Sequence, residues 1–356
     1  MNMEQKKKQA LKIAFLDFWE GANISEIISF LHLDEYDLIE DYICPDLVVY
    51  SCFGEKHLDY THCTLLFYSG ENVIPDFNVC DFSISTVKIQ YENRHLWIPC
   101  SHISTIGYTP DCIQEVTPNL LNRDFCSFIY SQDSEGKGAI YRRIFCEQLM
   151  KKYKHVDCPG KILHNTESDL LSKRYDIKNW HASKLLFLNR YKFNIAFENS
   201  DGPGYITEKL TDCYLANTVP IYWGSSKDIA PYPKESMICA NDYNSIDELI
   251  KRIIEVDTND ELYLSILRAN PFRIENKDNF PDFDQQIKIF IANLFKYNKA
   301  ANSDYKSHFY MTDAYRCFHY RKEFQQNHIK IARKLYHYIK KLKQKFLTLF
   351  KIKKEK

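Results

Sequence analysis

Lys209, Glu208, Arg142 and Glu71 are the residues of this 356-residue chain best placed to do chemistry. Lys209 and Glu208 lie in the run GYITEKL, at the start of a helical pattern that follows a turn containing Gly202 and Gly204. A helix start offers unpaired backbone N–H groups, and a lysine there adds a full positive charge, a combination that suits a diphosphate. The neighbouring carboxylate of Glu208 can accept from both hydroxyls of a ribose-type diol. Arg142 and Arg143, in IYRRIF, are further cations able to reach a phosphate, and equally able to lie on a solvated helix face. Glu71, in LLFYSGEN, directly follows a strand pattern and so stands at that strand's carboxyl end. A carboxylate in that position can take the proton of a hydroxyl, although Gly-Glu-Asn by itself is more often a surface turn. No DxD-like pair follows a strand, and the closest of the twelve cysteines, Cys44 and Cys52, are too far apart for a local zinc pattern. A metal site is therefore not expected.

The elements that must position these groups are legible around Phe193 to Gly224, FNIAFENSDGPGYITEKLTDCYLANTVPIYWG. Phe193, Ile195 and Phe197 alternate as in a strand. Residues 198–204 are turn-forming, with glycines that allow a close backbone approach to a ligand. Thr207 is an N-cap candidate, Leu210, Cys213 and Tyr214 continue at helical spacing, and residues 218–223 read as the next strand. This is a βαβ unit, and its ligand site belongs at the strand's carboxyl end, where Glu198, Asn199, Tyr205, Glu208 and Lys209 cluster. Spacing alone is also compatible with an ordinary crossover whose polar residues are merely solvated.

Strand-like runs at 13–18, 47–50, 65–68, 82–87 and 95–99, with a helix at 24–31, predict an α/β domain in the first third. A polar stretch at 109–122 containing Pro110 and Pro118 reads as a linker. A second α/β set follows, with a strand at 125–130, helices near 140–153 and 245–254, and a strand at 237–239. The expected division is residues 1–118, 119–305 and a tail at 306–356. Hydrophobic residues at 45% and charged residues at 26% are ordinary for a soluble globular chain. The net charge of zero hides an asymmetry: residues 321–356 hold 13 of the 47 basic residues but only Glu323 and Glu355 of the 47 acidic ones. In that tail Ile331, Leu335, Tyr338, Leu342, Phe346 and Leu349 recur at helical spacing among lysines and arginines. A basic amphipathic helix of this kind suits an anionic membrane surface, with packing on the protein's own core and nucleic-acid binding as the other options. The net-acidic remainder argues against nucleic acid. The N-terminal segment reads as a first strand and not as a signal peptide, and no run approaches the ~18 apolar residues of a membrane span. The irregular cysteine spacing fits buried thiols in a reducing compartment.

The run FEN…GYITEK…PIYWG resembles the donor-binding signature of the α1,3/4-fucosyltransferases. SFIYSQDSEGKGAIYRRIF resembles the same family's strand, Ser-rich loop and arginine-bearing helix. YSGEN followed by PDFNVCDFSIS resembles the FTGEN…PNFN segment of its bacterial α1,3 members. The resemblance implies a GT-B fold, two Rossmann-like α/β domains facing across a cleft, plus the basic C-terminal helix. It implies GDP-β-L-fucose as donor, no essential metal and no other cofactor, and inverting transfer to the 3-hydroxyl of GlcNAc in an N-acetyllactosamine-type glycan, giving a Lewis-x-type product. In the family's roles, Glu71 is the base and Arg142 with Lys209 holds the diphosphate. Arg143 is the fallback for Arg142. Glu208 binds the ribose, and Asn199, Tyr205 and Asn165 match other donor-contacting positions, although HN at 164–165 departs from the usual NN. The family also implies a cytoplasmic protein peripheral to the inner face of a bacterial membrane, of lipopolysaccharide O-antigen type. Transfer to a 4-hydroxyl or to glucose is the same-class alternative. A non-catalytic glycan- or nucleotide-binding protein of the same fold is the other. Residues 86–122, where the resemblance is weak, are expected to choose the acceptor.

Overall fold

Apolar runs make the central strands of this protein fully buried, as parallel sheets covered on both faces require. Thr64–Ser69 and Tyr191–Phe197 are buried at every position. The computed structural model describes residues 8–300 except 61–62, 101, 103–112, 114, 132–136, 172–176, 226–227, 274 and 277–279. The chain divides into one unit of residues 1–76 with 80–300 and another of 77–79 with 301–356. The basic helix expected at 321–356, with the whole 306–356 tail, lies outside the described residues, as do residues 109–112 and 114 of the 109–122 linker.

Two parallel sheets form the larger unit. The first contains β1 (Ala10–Leu16), β2 (Asp37–Glu40), β3 (Leu47–Tyr50), β4 (Thr64–Ser69), β5 (Phe82–Ser85) and β6 (His95–Trp97), in the order β2-β1-β3-β4-β5-β6. The short edge strand β2 was not expected: its sequence DLIE is polar and mostly exposed, without the apolar alternation that marks a half-buried strand. Helix α1 (Ile24–Phe30) crosses from β1 toward β2 and buries Ile27 and Phe30.

The second sheet contains β7 (Asp124–Ser127), β8 (Tyr191–Phe197), β9 (Val219–Trp223) and β10 (Ile238–Cys239), in the order β10-β9-β8-β7. Its register aligns Phe193 with Val219, Ile195 with Ile221 and Phe197 with Trp223. Its helices are α2 (Lys137–Lys152), α3 (Ile177–Leu188), α4 (Glu208–Leu215), α5 (Ile246–Thr258) and α6 (Asp260–Arg268). Ser245 and Asn259 cap α5 and α6 through their side chains, each accepting from a backbone N–H three residues on.

The last described helix, α7 (Phe283–Ala300), falls in the stretch expected to belong with the second sheet, but its apolar face joins the core of the first. Phe283, Ile287, Ile291 and Leu294 recur every three or four residues and are buried there with Leu11, Ile13 and Leu47. Each such side chain contributes about 1.5–3 kcal/mol relative to exposure, which is why the chain returns to cover that face. Phe280 marks the return: its ring meets Tyr232 and Phe272 on one side and Phe283 on the other.

Candidate active site

At the carboxyl end of β8 the chain turns through 198–206 into α4, and a cavity of about 660 Å3 opens beside the turn. Arg142, Asn199, Glu208 and Lys209 all line it, so four of the seven expected site residues converge on one space.

Arg142 projects from α2 and is 2% exposed. Its Nη1 donates to Asn199 Oδ1 at 2.5 Å, and its guanidinium lies 3.9 Å over the Tyr130 ring. The Tyr130 hydroxyl accepts from Phe197 N–H and donates to the Ile195 carbonyl, each at 2.9 Å, so the ring beneath the guanidinium is pinned to the end of β8. Gly138 lets α2 come this close, because a Cβ there would stand 2.1 Å from the Glu198 carbonyl oxygen. Arg143, the fallback, pairs with Glu147 on its own helix at 3.1 Å and does not line the cavity.

Lys209 is held by carboxylates on two sides. Its Nζ lies 3.4 Å from Glu198 Oε2, 3.4 Å from Glu208 Oε1 and 3.0 Å from Thr207 Oγ1. Burial opposes its charge, but Glu208 and Glu198 outweigh that and raise its pKa well above the usual value. Burial also works against the Glu208 carboxylate, yet Lys209 and Lys184 hold it down at about 2. Glu208 is therefore a standing anion able to accept from a diol.

Glu198 has a structural part that its sequence position did not disclose. It is fully buried, accepts from Thr207 N–H at 2.8 Å and Thr207 Oγ1 at 2.7 Å, and faces Lys209. Burial raises its pKa despite the lysine. It thus fixes both the cap of α4 and the cation after it. Lys184 and Trp180 on α3, with Lys161 and His164, also line the cavity and were not expected. Lys184 sits 2.6 Å from buried Asp212, which also meets His181 at 2.6 Å. The signal was the i, i+3 pair His181 and Lys184 on one helix face, which only the fold aims at Asp212.

Three expected residues, Asn165, Tyr205 and Glu71, stand apart from the cavity lining. The Asn165 side chain braces its own loop, accepting from Cys158 N–H at 2.7 Å and donating to the Val156 carbonyl at 3.0 Å. Its neighbours Gly160, Lys161 and His164 face the cavity instead. Tyr205 is buried, and burial with Glu198 raises its hydroxyl pKa; Lys209 and Glu71 both act on it electrostatically.

Glu71 stands on the first sheet, exposed, just past the end of β4. Its backbone is fixed from both sides: its N–H donates to Ser69 Oγ at 3.1 Å and its carbonyl accepts from Thr86 Oγ1 at 2.9 Å. The next residue reaches the other sheet's turn, where Asn72 Nδ2 donates to Ser200 Oγ at 2.9 Å. Trp97 Nε1 donates to the Gly204 carbonyl at 3.1 Å, and Lys88 N–H to the Pro203 carbonyl at 2.7 Å. The turn glycines, expected to admit a ligand, admit side chains from the first sheet's carboxyl end. A Cβ at Gly202 would stand 2.5 Å from the Asn72 amide, and one at Gly204, where φ is +73°, 2.4 Å from Trp97 Nε1.

A cationic, aromatic-floored cavity at a strand's carboxyl end, beside a turn that a hydrogen bond joins to the segment after Glu71 on a second parallel sheet, is suited to holding an anionic leaving group. Residues 13–103 match the N-terminal domain of the α-(1,3)-fucosyltransferase FucT, and residues 128–278 the C-terminal part of glycosyltransferase family 10, the fucosyltransferases. The chain is 29% identical over 311 residues to the α-(1,3)-fucosyltransferase FucT of Helicobacter pylori, covering 76% of this chain and 62% of that protein, so it spans less than two thirds of that relative. A crystal structure of an α1,3-fucosyltransferase with GDP aligns at a TM-score of 0.63 and 25% identity, over 85% of this chain and 93% of that one. One with GDP-fucose aligns at 0.62 and 26%, over 86% and 95%.

Proposed function

This chain belongs to glycosyltransferase family 10, the fucosyltransferases, with the GT-B fold, and on that premise we propose that it transfers L-fucose from GDP-β-L-fucose to a glycan hydroxyl with inversion at the anomeric carbon. Glu71 takes the proton of the acceptor hydroxyl as it attacks the face of the sugar opposite the nucleotide. Arg142 and Lys209 stabilise the departing diphosphate, and Glu208 accepts from the ribose. The observation that carries this is the convergence of Arg142, Asn199, Glu208 and Lys209 on one cavity, tied by the Asn72–Ser200 contact to the turn that bears Glu71.

The acceptor is the 3-hydroxyl of GlcNAc in an N-acetyllactosamine-type glycan. Two side-chain cations already face the leaving group, so transfer proceeds without an added divalent metal, and activity survives EDTA. The 321–356 segment carries the protein to an anionic membrane surface at the cytoplasmic face; deleting it abolishes binding to anionic liposomes. Retained binding would contradict that role. The test of the activity is incubation with GDP-fucose and a panel of lactose, N-acetyllactosamine and its β1,3-linked isomer. Acceptor-dependent GDP release supports the assignment, and no release with any acceptor overturns it.

A further inference from the structure

A second cavity, of about 750 Å3, lies over the carboxyl edge of the first sheet and shares no lining residue with the first. Leu16 and Asp17 reach it from β1, Tyr42 and Ile43 from the loop after β2, and Lys56 and Asp59 from the loop after β3. Strand order explains its place. β2 lies on one side of β1 and β3 on the other, so the chain reverses direction across the sheet there and leaves a crevice, the usual ligand position in an open parallel sheet.

The walls are built. The Asp17 carboxylate is occupied by the loop after β3, accepting from Lys56 N–H at 3.1 Å, His57 N–H at 2.9 Å and His57 Nδ1 at 2.7 Å. Gly54 leaves room for it, since a Cβ there would stand 2.3 Å from Asp17 Oδ1. That loop is thereby fixed, and it presents the exposed side chains of Lys56 and Asp59. From that same loop the Tyr60 hydroxyl donates to the Tyr42 carbonyl at 2.8 Å, which ties the backbone of the opposite wall to it.

Exposed apolar surface gathers on this same edge. Trp19, Tyr42, Ile43 and Phe53 leave the ends of β1, β2 and β3, and Val73 and Ile74 follow Glu71 past β4. Trp19 and Phe53 meet edge-to-face at 6.0 Å. Aromatic faces beside one lysine and two carboxylates, of which Asp17 is engaged and Asp59 exposed, match a neutral pyranose, with C–H faces to stack and hydroxyls to bond, better than an anionic group. The loop after β3, which supplies one wall, also reaches the proposed base's neighbour: Cys52 Sγ lies 3.5 Å from Ser69 Oγ, which accepts from Glu71 N–H. β1 and β4 are two strand spacings apart, about 10 Å. The cavity is thus too far from Glu71 for the reacting sugar and well placed for its neighbours.

We infer that this cavity is an acceptor subsite that takes the uncharged sugar units of an oligosaccharide beyond the one that is fucosylated. The inference rests on the fucosyltransferase assignment, and two measurements separate the fates of the two. The first is kcat/KM with free GlcNAc, N-acetyllactosamine and a linear N-acetyllactosamine hexasaccharide, for the intact chain and for Tyr42→Ala and Asp59→Asn. Both variants should lower the ratio of kcat/KM for hexasaccharide over GlcNAc by about tenfold, through KM for the long acceptor, while KM for GDP-fucose reports that the donor half is folded. Turnover with the ratio unaltered in both variants overturns the subsite and leaves the activity standing. The second is saturation-transfer NMR with the hexasaccharide and no nucleotide. Saturation on sugar protons that is lost in Tyr42→Ala supports the subsite even in a chain that turns nothing over. No saturation in the intact chain overturns it.

Discussion

Asn72 donates from Nδ2 to Ser200 Oγ at 2.9 Å, and each residue is the chain neighbour of one that the proposed chemistry needs. Asn72 follows Glu71, and Ser200 follows Asn199, whose Oδ1 holds Arg142. Of the hydrogen bonds that join the two halves, this one lies nearest in sequence to both Glu71 and Asn199. Asn72→Ala should reduce kcat by about tenfold, the effect of one net hydrogen bond, with little change in KM for GDP-fucose. A rise in that KM with unaltered kcat would show that the contact serves donor binding instead.

Arg142 combines a hydrogen bond to Asn199 with stacking on Tyr130, and a lysine can reproduce neither the planar fork nor the stack. Arg142→Lys should lower kcat/KM for GDP-fucose by about 100-fold, the scale of losing one oriented transition-state donor. Steady-state rates check this. Activity within a few-fold of the intact chain would mean that bare charge suffices.

Lys209 and Glu198 form a pair in which the carboxylate is fully buried. Removing the lysine strands that carboxylate, so Lys209→Met should lose about 3–5 kcal/mol of stability in urea unfolding. Glu198→Gln added to it should recover much of that loss without restoring activity. Equal stability of the single and double variants would show that the pair is not coupled.

Glu208 titrates at about 2 in the folded chain against an ordinary 4.5. A carboxyl lowered on folding stabilises above its unfolded value, and that stabilisation drains away as pH falls through its folded value. The protein should therefore lose stability between about pH 4.5 and pH 2, and Glu208→Gln should show a shallower loss across that window. Urea midpoints measured across the range test this; parallel curves for the two proteins would remove Glu208 as the cause.

The part of the candidate site around α4 was legible in the sequence because it is local. Phe193, Ile195 and Phe197 alternate, Thr207 caps, and Glu208 and Lys209 follow within one turn, so strand, cap and charges share one βαβ unit. What escaped depends on contacts between distant segments. Glu198 looks like any polar residue after a strand until Thr207 folds back onto it. Gly202 and Gly204 announce a close approach without saying to what, and the answer, Asn72 and Trp97, lies more than 100 residues upstream. The face of α7 is plainly apolar, but no local pattern says which sheet it covers. Asn165 matches a family position, yet its amide is engaged by the backbone of its own loop.

Inverting transfer of fucose is read out by proton NMR of the product formed from GDP-β-L-fucose and N-acetyllactosamine. A single new α-configured fucose anomeric proton is expected, with a through-space contact to H3 of GlcNAc, and its loss in Glu71→Gln. A β-linked product, or undiminished α-product from Glu71→Gln, would contradict it.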